Sequence, residues 1–204
     1  MSHTPFRSGT LRQYGVAVRI LLVFTVVLGI GYPAVVLGLG QALFPATANG
    51  SLIESDGEVV GSSLIGQGWT DADGNALPEW FQSRPSAAGD SYDAAASSGS
   101  NQGPESDDLV AAIEERRAAI SELDGVDPDS VPADALTASA SGLDPQISPE
   151  YANQQVGRVA AARGIPVAEV AALVKSKIYP GDLGYLSEPT VNLLELNVAL
   201  AKLG

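Results

Sequence analysis

The chain has 204 residues, no cysteine and a single histidine, His3, and its formal net charge at pH 7 is −13. Without cysteine there is no disulfide bond and no thiol chemistry, and everything after the N-terminal tail lacks a histidine for a Ser–His–Asp triad or for metal ligation. All 24 acidic residues lie at or after Glu54, so this part of the chain repels nucleic acid and anionic lipid headgroups.

The first predicted element is a membrane-spanning helix. Residues 20–43 carry no charged side chain, and about 20 apolar residues suffice to cross the hydrocarbon core of a bilayer. Three arginines precede the run, and no Lys or Arg follows it before Arg84. By the positive-inside rule the N-terminus is therefore cytoplasmic. We expect a cytoplasmic tail at 1–13, a transmembrane helix at 14–44 and an extracytoplasmic domain at 45–204.

A cleaved signal peptide is the alternative interpretation of this run, because Ala46, Thr47 and Ala48 resemble a small-residue cleavage site. A signal peptide usually has an apolar stretch of about 7–15 residues, which is shorter than the run found here. The length therefore favours an anchor that is retained. Pro33 removes one backbone donor, so we predict a local kink, of the kind that neighbouring helices tolerate in a membrane complex.

A β-hairpin and a long loop are predicted after the anchor. Two short β-prone runs, 51–53 and 59–65, flank an Asp-Gly pair that is typical of a tight hairpin turn. Residues 68–106 show no regular period and are rich in Gly, Ser, Asp and Pro. Since aromatic side chains are interleaved through this segment, we expect an ordered loop that packs onto the domain. These aromatic residues are Trp69, Trp80, Phe81 and Tyr92.

Helices dominate the second half of the predicted domain. We predict them at 106–125, with Ser106 as N-cap, at 148–164 and after Pro166, and we expect 191–203 to end as a helix. The positions expected to be buried are Leu109, Ile113, Ile120 and Leu123 in the first helix, Ala152, Val156, Val159 and Ala160 in the second, and Val167, Val170, Ala171, Val174 and Ile178 in the third. The predicted fold class is α+β, with one N-terminal transmembrane helix followed by a mixed extracytoplasmic domain.

Two polar clusters, 84–101 and 137–145, are candidate binding sites. Gly-, Ser- and Asn-rich stretches offer backbone N–H groups and short hydroxyls to a polar ligand or to a partner's backbone. The same residue types also form tight turns through their own hydrogen bonds, and this interpretation stays open. Asp71, Asp73 and Asn75 are similar to a calcium loop, but the glycine that follows Asp73 is two positions too early, so we favour a chance match.

A series of short motifs runs in one order over nearly the whole chain after the tail. They are Gly31-Tyr32-Pro33, Asn49-Gly50-Ser51, Gly61-Ser62, Leu64-Ile65-Gly66-Gln67, Arg84-Pro85-Ser86, Ser98-Gly99-Ser100-Asn101, Ser139 to Pro145, Ile147-Ser148, Gln155, Arg158 to Arg163, Val191-Asn192 and Leu196-Asn197. Together they resemble the C subunit family of the high-affinity, ATP-driven potassium transporter, the Kdp complex. Acidic insertions at 71–78 and 122–130 depart from the family pattern.

The resemblance implies a non-catalytic subunit of a complex with a channel-like, potassium-binding A subunit, an ATP-hydrolysing B subunit of the P-type class and a small F subunit. It also implies a catalytic chaperone, which raises the ATP affinity of the ATPase subunit through a transient ternary complex and binds no cofactor tightly. Carried over residue by residue, the nucleotide-contacting candidates are Ser139, Ser141, Gly142, Asp144 and Gln155. The candidates for partner contact are Tyr32, Pro33, Arg84, Ser100 and Asn101. No catalytic or metal-binding residue is expected.

The predicted topology conflicts with a nucleotide role, because an extracytoplasmic domain does not reach cytoplasmic ATP. The charge asymmetry favours external docking, in which the domain caps the potassium-binding subunit near its entrance. One alternative is a stand-alone, membrane-anchored binding protein for a small polar ligand. Another is an anchored hydrolase with serine–lysine chemistry, but Lys175 and Lys177 fall on a polar helix face, which disfavours it.

Overall fold

The computed structural model describes residues 7–203. The chain divides after Ser51 into an N-terminal unit and a C-terminal unit. Predictions that fall on residues 1–6, among them those on His3, lie outside the described residues.

The N-terminal unit is almost entirely helical. Its elements are α1 (Arg7–Val26), a π-helical turn (Val27–Gly31), α2 (Tyr32–Leu43) and α3 (Pro45–Ala48). Within residues 7–203, the stretch Gly9–Leu43 is the one helix long and apolar enough, by length and composition, to cross a membrane. The first described residue, Arg7, is already helical, so the described part of the predicted tail belongs to the helix, which ends before Phe44 as expected.

The distortion predicted at Pro33 takes the form of the π-helical turn. Pro33 has no N–H, and a proline ring in a helix collides with the carbonyl four residues earlier. In the turn before it the backbone widens, and the N–H of Tyr32 donates to the carbonyl of Val27. Single π turns of this kind accommodate an interruption without ending the helix.

The predicted hairpin opens the C-terminal unit. Strands β1 (Leu52–Ser55) and β2 (Glu58–Ser62) pair antiparallel, with a bulge after Ile53. Asp56 and Gly57 have φ angles of 54° and 84°, which is the left-handed geometry that a two-residue hairpin turn requires. The second strand is shorter than predicted, because the chain turns after Ser62 and the N–H of Ile65 bonds back to the carbonyl of Ser62.

The rest of the C-terminal unit combines short helices with a small antiparallel sheet, whose strand order is β3-β5-β4. The predicted fold class, α+β behind one N-terminal apolar helix, is confirmed. The elements are α4 (Asp107–Asp124), α5 (Ala133–Leu136), β3 (Gln146–Ile147), α6 (Pro149–Gln154), α7 (Val156–Arg163), α8 (Val167–Ser176), β4 (Ile178–Tyr179), β5 (Thr190–Asn192) and α9 (Leu193–Ala201), with 3₁₀ turns at Pro128–Ser130 and Asp182–Gly184.

The core lies between helices α6 to α9 and strand β5. The stripe predicted for 148–164 is buried as expected, and the Ser148 hydroxyl caps α6 by accepting the N–H of Tyr151. Gly125 and Gly164 both adopt the left-handed conformation that ends a helix. The buried side chains of this core include Ala152, Val156, Val159, Ala160, Val170, Val174, Val191, Leu193, Leu196 and Leu200.

Five helix predictions need correction. The helix predicted at 148–164 is interrupted at Gln155, whose side chain turns into the core. Val167 is the first residue of α8 and its side chain is 58% exposed, because the first turn of α8 extends past the side chains against which the rest of the helix packs. Ile178 lies in β4 rather than in a helix. Ser106 occupies the N-cap position of α4, but its side chain makes no capping bond. The apolar stripe of that helix is only half-buried, because α4 lies at the edge of the core.

Candidate functional site

Three polar loop segments meet in the C-terminal unit: residues 63–67, 84–99 and 137–146. We call this meeting point the loop junction. Hydrogen bonds between segments far apart in sequence hold it together, so motifs that are scattered along the chain become one surface. The bonds join the N–H of Gly66 to the carbonyl of Leu143 at 2.8 Å, the hydroxyl of Ser86 to the carbonyl of Gly142 at 2.7 Å, and the N–H of Ser98 to the carbonyl of Ser141 at 3.0 Å.

Two glycines make the close approach within the loop junction possible. Gly142 has a φ angle of 66°, and a Cβ there would lie 2.6 Å from the carbonyl oxygen of Ser98. A Cβ on Gly66 would lie 2.4 Å from the ring of Tyr92 and 2.6 Å from the carbonyl oxygen of Asp144. Real Cβ atoms do not approach so closely, so both positions exclude a side chain.

An ion pair crosses the loop junction between Arg84 and Asp144. The Nη1 of Arg84 lies 2.8 Å from the Oδ2 of Asp144, and the two side chains are 21% and 27% exposed. The other carboxylate oxygen accepts the N–H of Gln146 at 3.0 Å. The Tyr92 hydroxyl donates to the carbonyl of Arg84, and burial raises the pKa of Tyr92. The structure thus joins a residue predicted for partner contact to one predicted for nucleotide contact.

The predicted nucleotide-contacting loop forms a turn that satisfies its own polar groups. The N–H of Gly142 donates to the hydroxyl of Ser139 at 2.9 Å, and the N–H of Leu143 donates to the hydroxyl of Ser141 at 3.1 Å. Because both N–H groups already donate to hydroxyls of the same turn, neither is available to bind a phosphate group. The loop does line an open groove of about 560 Å³, bordered by Leu64, Ile65, Ser139, Ala140, Ser141, Leu143, Asp144 and Pro145.

Gln155, the remaining nucleotide candidate, is fully buried and does not line that groove. Its Oε1 accepts the N–H of Gln82 at 2.6 Å, and its Nε2 donates to the carbonyl of the same residue at 3.2 Å. Asn197 of α9 does the same with Phe81, with both distances 3.0 Å. Each side-chain amide bonds to both the backbone N–H and the backbone carbonyl of one residue in the long loop, as a neighbouring β-strand would. In this way it fixes that residue in place.

The same loop is held by Arg158, whose guanidinium forms an ion pair with Asp124. The Nε of Arg158 lies 2.7 Å from the Oδ1 of Asp124, and the side chains are 6% and 1% exposed. Its other nitrogens donate to the carbonyls of Pro78 and Trp80 and to the Oε1 of Gln155. The sequence prediction missed this pair. One sequence signal was available: Arg158 stands directly before Val159, which the apolar stripe predicts to be buried. A basic residue beside a buried position indicates a partly buried charge that needs an acidic partner.

Aromatic packing completes the attachment of the long loop and confirms the prediction that it is ordered. The rings of Trp69 and Trp80 lie 4.7 Å apart, and the guanidinium of Arg163 stands over Trp80 at 4.2 Å from the ring centre. Phe81 is fully buried, and Tyr92 is half-buried. These aromatic side chains therefore pack the loop against the core.

The segment that is similar to a calcium loop is a tight turn. A single oxygen of Asp71 accepts the N–H groups of Asp73 and Asn75, at 2.9 Å and 2.8 Å. Hydrogen bonds from Asn75 keep the pKa of Asp71 below its ordinary value. In the part of the chain that the structure describes, no group of three or more His, Cys, Asp or Glu residues is placed to hold a metal ion.

The candidates for partner contact are spread over both units. Tyr32 and Pro33 open α2 in the N-terminal unit, where the Tyr32 side chain is exposed. Ser100 and Asn101 are exposed in the long loop of the C-terminal unit, and Asn101 has a positive φ angle. Arg84 lies in the loop junction.

Comparison with known proteins places these features in a family context. A family model described as "KdpC: K+-transporting ATPase, c chain" matches residues 14–202. A protein of Kineococcus radiotolerans named potassium-transporting ATPase KdpC subunit is 54% identical over 190 residues, which is 93% of either chain. A namesake from Caulobacter vibrioides is 52% identical over 179 residues, 87% of this chain and 86% of its own. Another, from Mycobacterium tuberculosis, is 49% identical over 193 residues, 94% and 99% of the two chains.

Proposed function

This chain belongs to the KdpC family, the c chain of K+-transporting ATPases, and from that premise we propose that it is a non-catalytic accessory subunit that stabilises the potassium-transporting complex and raises the ATP affinity of its ATPase subunit. The partners in this proposal are the potassium-binding A subunit, the ATP-hydrolysing B subunit and the small F subunit.

The observation that carries the proposal is the loop junction. Segments that contribute to the family resemblance, from Leu64 to Pro145, meet there and use their polar groups on one another. A site for covalent chemistry needs an activated nucleophile and a base within hydrogen-bond reach of it. The serine hydroxyls of the junction are instead bonded to backbone groups. Such a preformed polar surface suits recognition of a partner protein.

The N-terminal unit supports a role within a membrane complex. The apolar side chains of α1 and α2 are exposed along the whole stretch from Leu11 to Leu43, so they need lipid or other helices around them. We propose that the N-terminus is cytoplasmic, that the helix spans the membrane once, and that the C-terminal unit is extracytoplasmic. In this arrangement Tyr32 and Pro33 pack against helices of the partner subunits.

In this proposal the chain raises the ATP affinity of the ATPase subunit by contacting that complex as a protein, and not by binding ATP with its own residues. The N–H groups of Gly142 and Leu143 are already bonded within their own turn, and Gln155 is buried beneath Gln82. A ligand with differential affinity for two states shifts the equilibrium between them, and a docked subunit acts in the same way. A chain that binds the ATP-competent state of the complex raises its ATP affinity without touching nucleotide.

The test is to purify the complex from membranes with and without this chain. We expect its omission to lower the recovery of intact complex and to raise the KM for ATP of potassium-stimulated hydrolysis. The double variant Ser139→Ala/Ser141→Ala separates direct from indirect action: it should leave the KM for ATP within about two-fold of wild type if nucleotide is not bound by these hydroxyls. A complex that assembles fully and keeps its KM without this chain would refute the proposal.

A further inference from the structure

The apolar helix ends in a short folded cap, residues 44–51. One helical turn, α3, follows Phe44, and the N–H groups of Ala48 and Asn49 bond to the carbonyls of Phe44 and Pro45. The turn closes with the two backbone bonds of a Schellman motif. These run from the N–H of Ser51 to the carbonyl of Ala46 at 2.9 Å, and from the N–H of Gly50 to the carbonyl of Thr47 at 3.2 Å.

A pair of side-chain amides fastens this cap to α2. The Nε2 of Gln41 donates to the Oδ1 of Asn49 at 3.1 Å, and the Nδ2 of Asn49 donates to the Oε1 of Gln41 at 3.0 Å. The same Nδ2 also donates to the carbonyl of Pro45 at 2.7 Å. Gln41 belongs to the uncharged run, where an amide without partners is costly at membrane depth. The reciprocal pair satisfies Gln41 only while the cap stays folded against the helix.

The cap contains the small-residue segment Ala46-Thr47-Ala48, the pattern that signal peptidases recognise after an apolar run. Proteolysis of a folded segment proceeds through its locally opened form, at a rate set by the population of that form. In the structure, the backbone N–H groups of residues 48–51 are all used in helical or Schellman bonds. The segment is thus withheld from an enzyme that needs extended chain.

We propose that the Gln41–Asn49 amide pair is a retention lock, which keeps the Ala48–Asn49 bond folded and prevents a membrane-bound signal peptidase from removing the N-terminal helix. The lock rests on the proposed membrane-anchored role of this chain and adds to it a second barrier, independent of the length of the apolar run. The reaction that it prevents is hydrolysis: one water is consumed, the amide C–N bond breaks, and Ala48 gains a carboxylate while Asn49 gains an amino terminus.

The experiment follows the full-length chain, tagged at its C-terminus, in a bacterial host with an active signal peptidase. Gln41→Ala removes both amide–amide bonds and leaves residues 44–51 unchanged. We expect it to release a tagged fragment whose N-terminal residue is Asn49, with cleavage about five- to thirty-fold faster than in wild type, as the loss of two hydrogen bonds implies. Gln13→Ala, the same change elsewhere on the helix, should stay full-length and membrane-bound.

Two further variants identify the cause of any release. Gln41→Ala combined with Ala48→Leu removes the small residue before the scissile bond and should restore retention. Deletion of residues 20–28 brings the apolar run down to about 15 residues, the upper end for a signal peptide, while leaving the lock intact. We expect this shortened chain to remain largely uncut unless Gln41→Ala is added.

The proposal is overturned if Gln41→Ala is as resistant as wild type, or if the shortened chain is cut with its lock in place, because length alone would then decide retention. Retention is scored by fractionation, and assembly is scored separately by co-purification with the other subunits. A resistant Gln41→Ala chain that still co-purifies overturns the lock and leaves the proposed function standing. Release of the wild-type chain itself would overturn both.

Discussion

Arg84 and Asp144 lie 60 positions apart in the sequence and form an ion pair of 2.8 Å that crosses the loop junction. Because both side chains are partly exposed, the pair itself contributes modestly to stability. We expect Asp144→Ala to lower the free energy of unfolding by about 1–2 kcal/mol, since it removes the pair and the acceptor for the N–H of Gln146. Urea denaturation of the full-length chain in detergent measures the change. An unaltered transition midpoint would contradict this expectation.

The buried pair of Arg158 and Asp124 should behave differently. Asp124→Ala leaves a guanidinium with almost no access to water and without its counter-charge, and this should cost about 3–5 kcal/mol. Replacing both partners together, Asp124→Leu with Arg158→Met, should recover part of that loss. The matched control is Asp129→Ala, which removes the exposed pair with Arg117 at 3.6 Å and should cost no more than about 0.5 kcal/mol. Equal losses in the two single variants would be evidence against the role assigned to burial.

The two inward-pointing amides test the distinction between structural and nucleotide-contacting residues. Gln155→Leu and Asn197→Leu each leave a buried backbone N–H and carbonyl without partners, which should cost about 2–4 kcal/mol of unfolding free energy. If Gln155 has a structural role alone, both variants should shift the unfolding transition alike. Neither should change the KM for ATP of the fraction that assembles. A specific rise in that KM for Gln155→Leu, absent for Asn197→Leu, would restore Gln155 as a nucleotide-contacting residue.

Alkaline pH should destabilise the C-terminal unit through Tyr151. Burial, the largest cause, raises the pKa of this hydroxyl in the folded state. Its stabilising contribution is therefore complete below the unfolded pKa of about 10 and falls as pH rises above it, by up to about 1.4 kcal/mol per pH unit. Tyr151→Phe should flatten the dependence of stability on pH between about pH 10 and 11. Tyr185→Phe, at an exposed position, is the control and should leave the curve unchanged.

Substituting two glycines that share nearly the same backbone conformation distinguishes the cost of backbone strain from the cost of a steric clash. Gly125 and Gly142 have φ angles of 65° and 66°, but a Cβ meets nothing within 4 Å at Gly125 and three atoms within 3 Å at Gly142. Gly125→Ala should cost about 1 kcal/mol from the left-handed backbone alone. Gly142→Ala should cost about 2–4 kcal/mol, because the loops must also move apart. Thermal unfolding of the two variants side by side measures the difference.

Local patterns predicted local structure well. The uncharged run at 20–43 predicted the long apolar helix, and Asp56 with Gly57 predicted the hairpin turn, because these signals depend on nearby residues alone. The same holds for Gly125 and Gly164, which end their helices. Val167 was wrongly placed in the core, because periodicity locates the apolar face of a helix but not how far the packing reaches along it.

The candidate site was harder to predict because its contacts are distant in sequence. The resemblance singled out Gln155, but only the fold shows that its amide holds Gln82, 73 positions earlier. Asp124 lies outside every motif that carries the resemblance, and its partner Arg158 is 34 positions away. Conversely, the polar stretches at 84–101 and 137–145 were interpreted as either binding loops or tight turns. The structure shows that Ser139 and Ser141 make turns, and that the turns border a groove.

The hydrogen bonds between the Asn197 side chain and the Phe81 backbone join residues 116 positions apart, and this separation affects how the chain folds during synthesis. Synthesis proceeds from the N-terminus, so the long loop is made well before α9, and until α9 follows the Asn197 amide is not there to pair with Phe81. Contacts of such high sequence separation form late and slowly. The loop therefore reaches its final conformation only after α9 has been made, and until then its aromatic residues are open to aggregation.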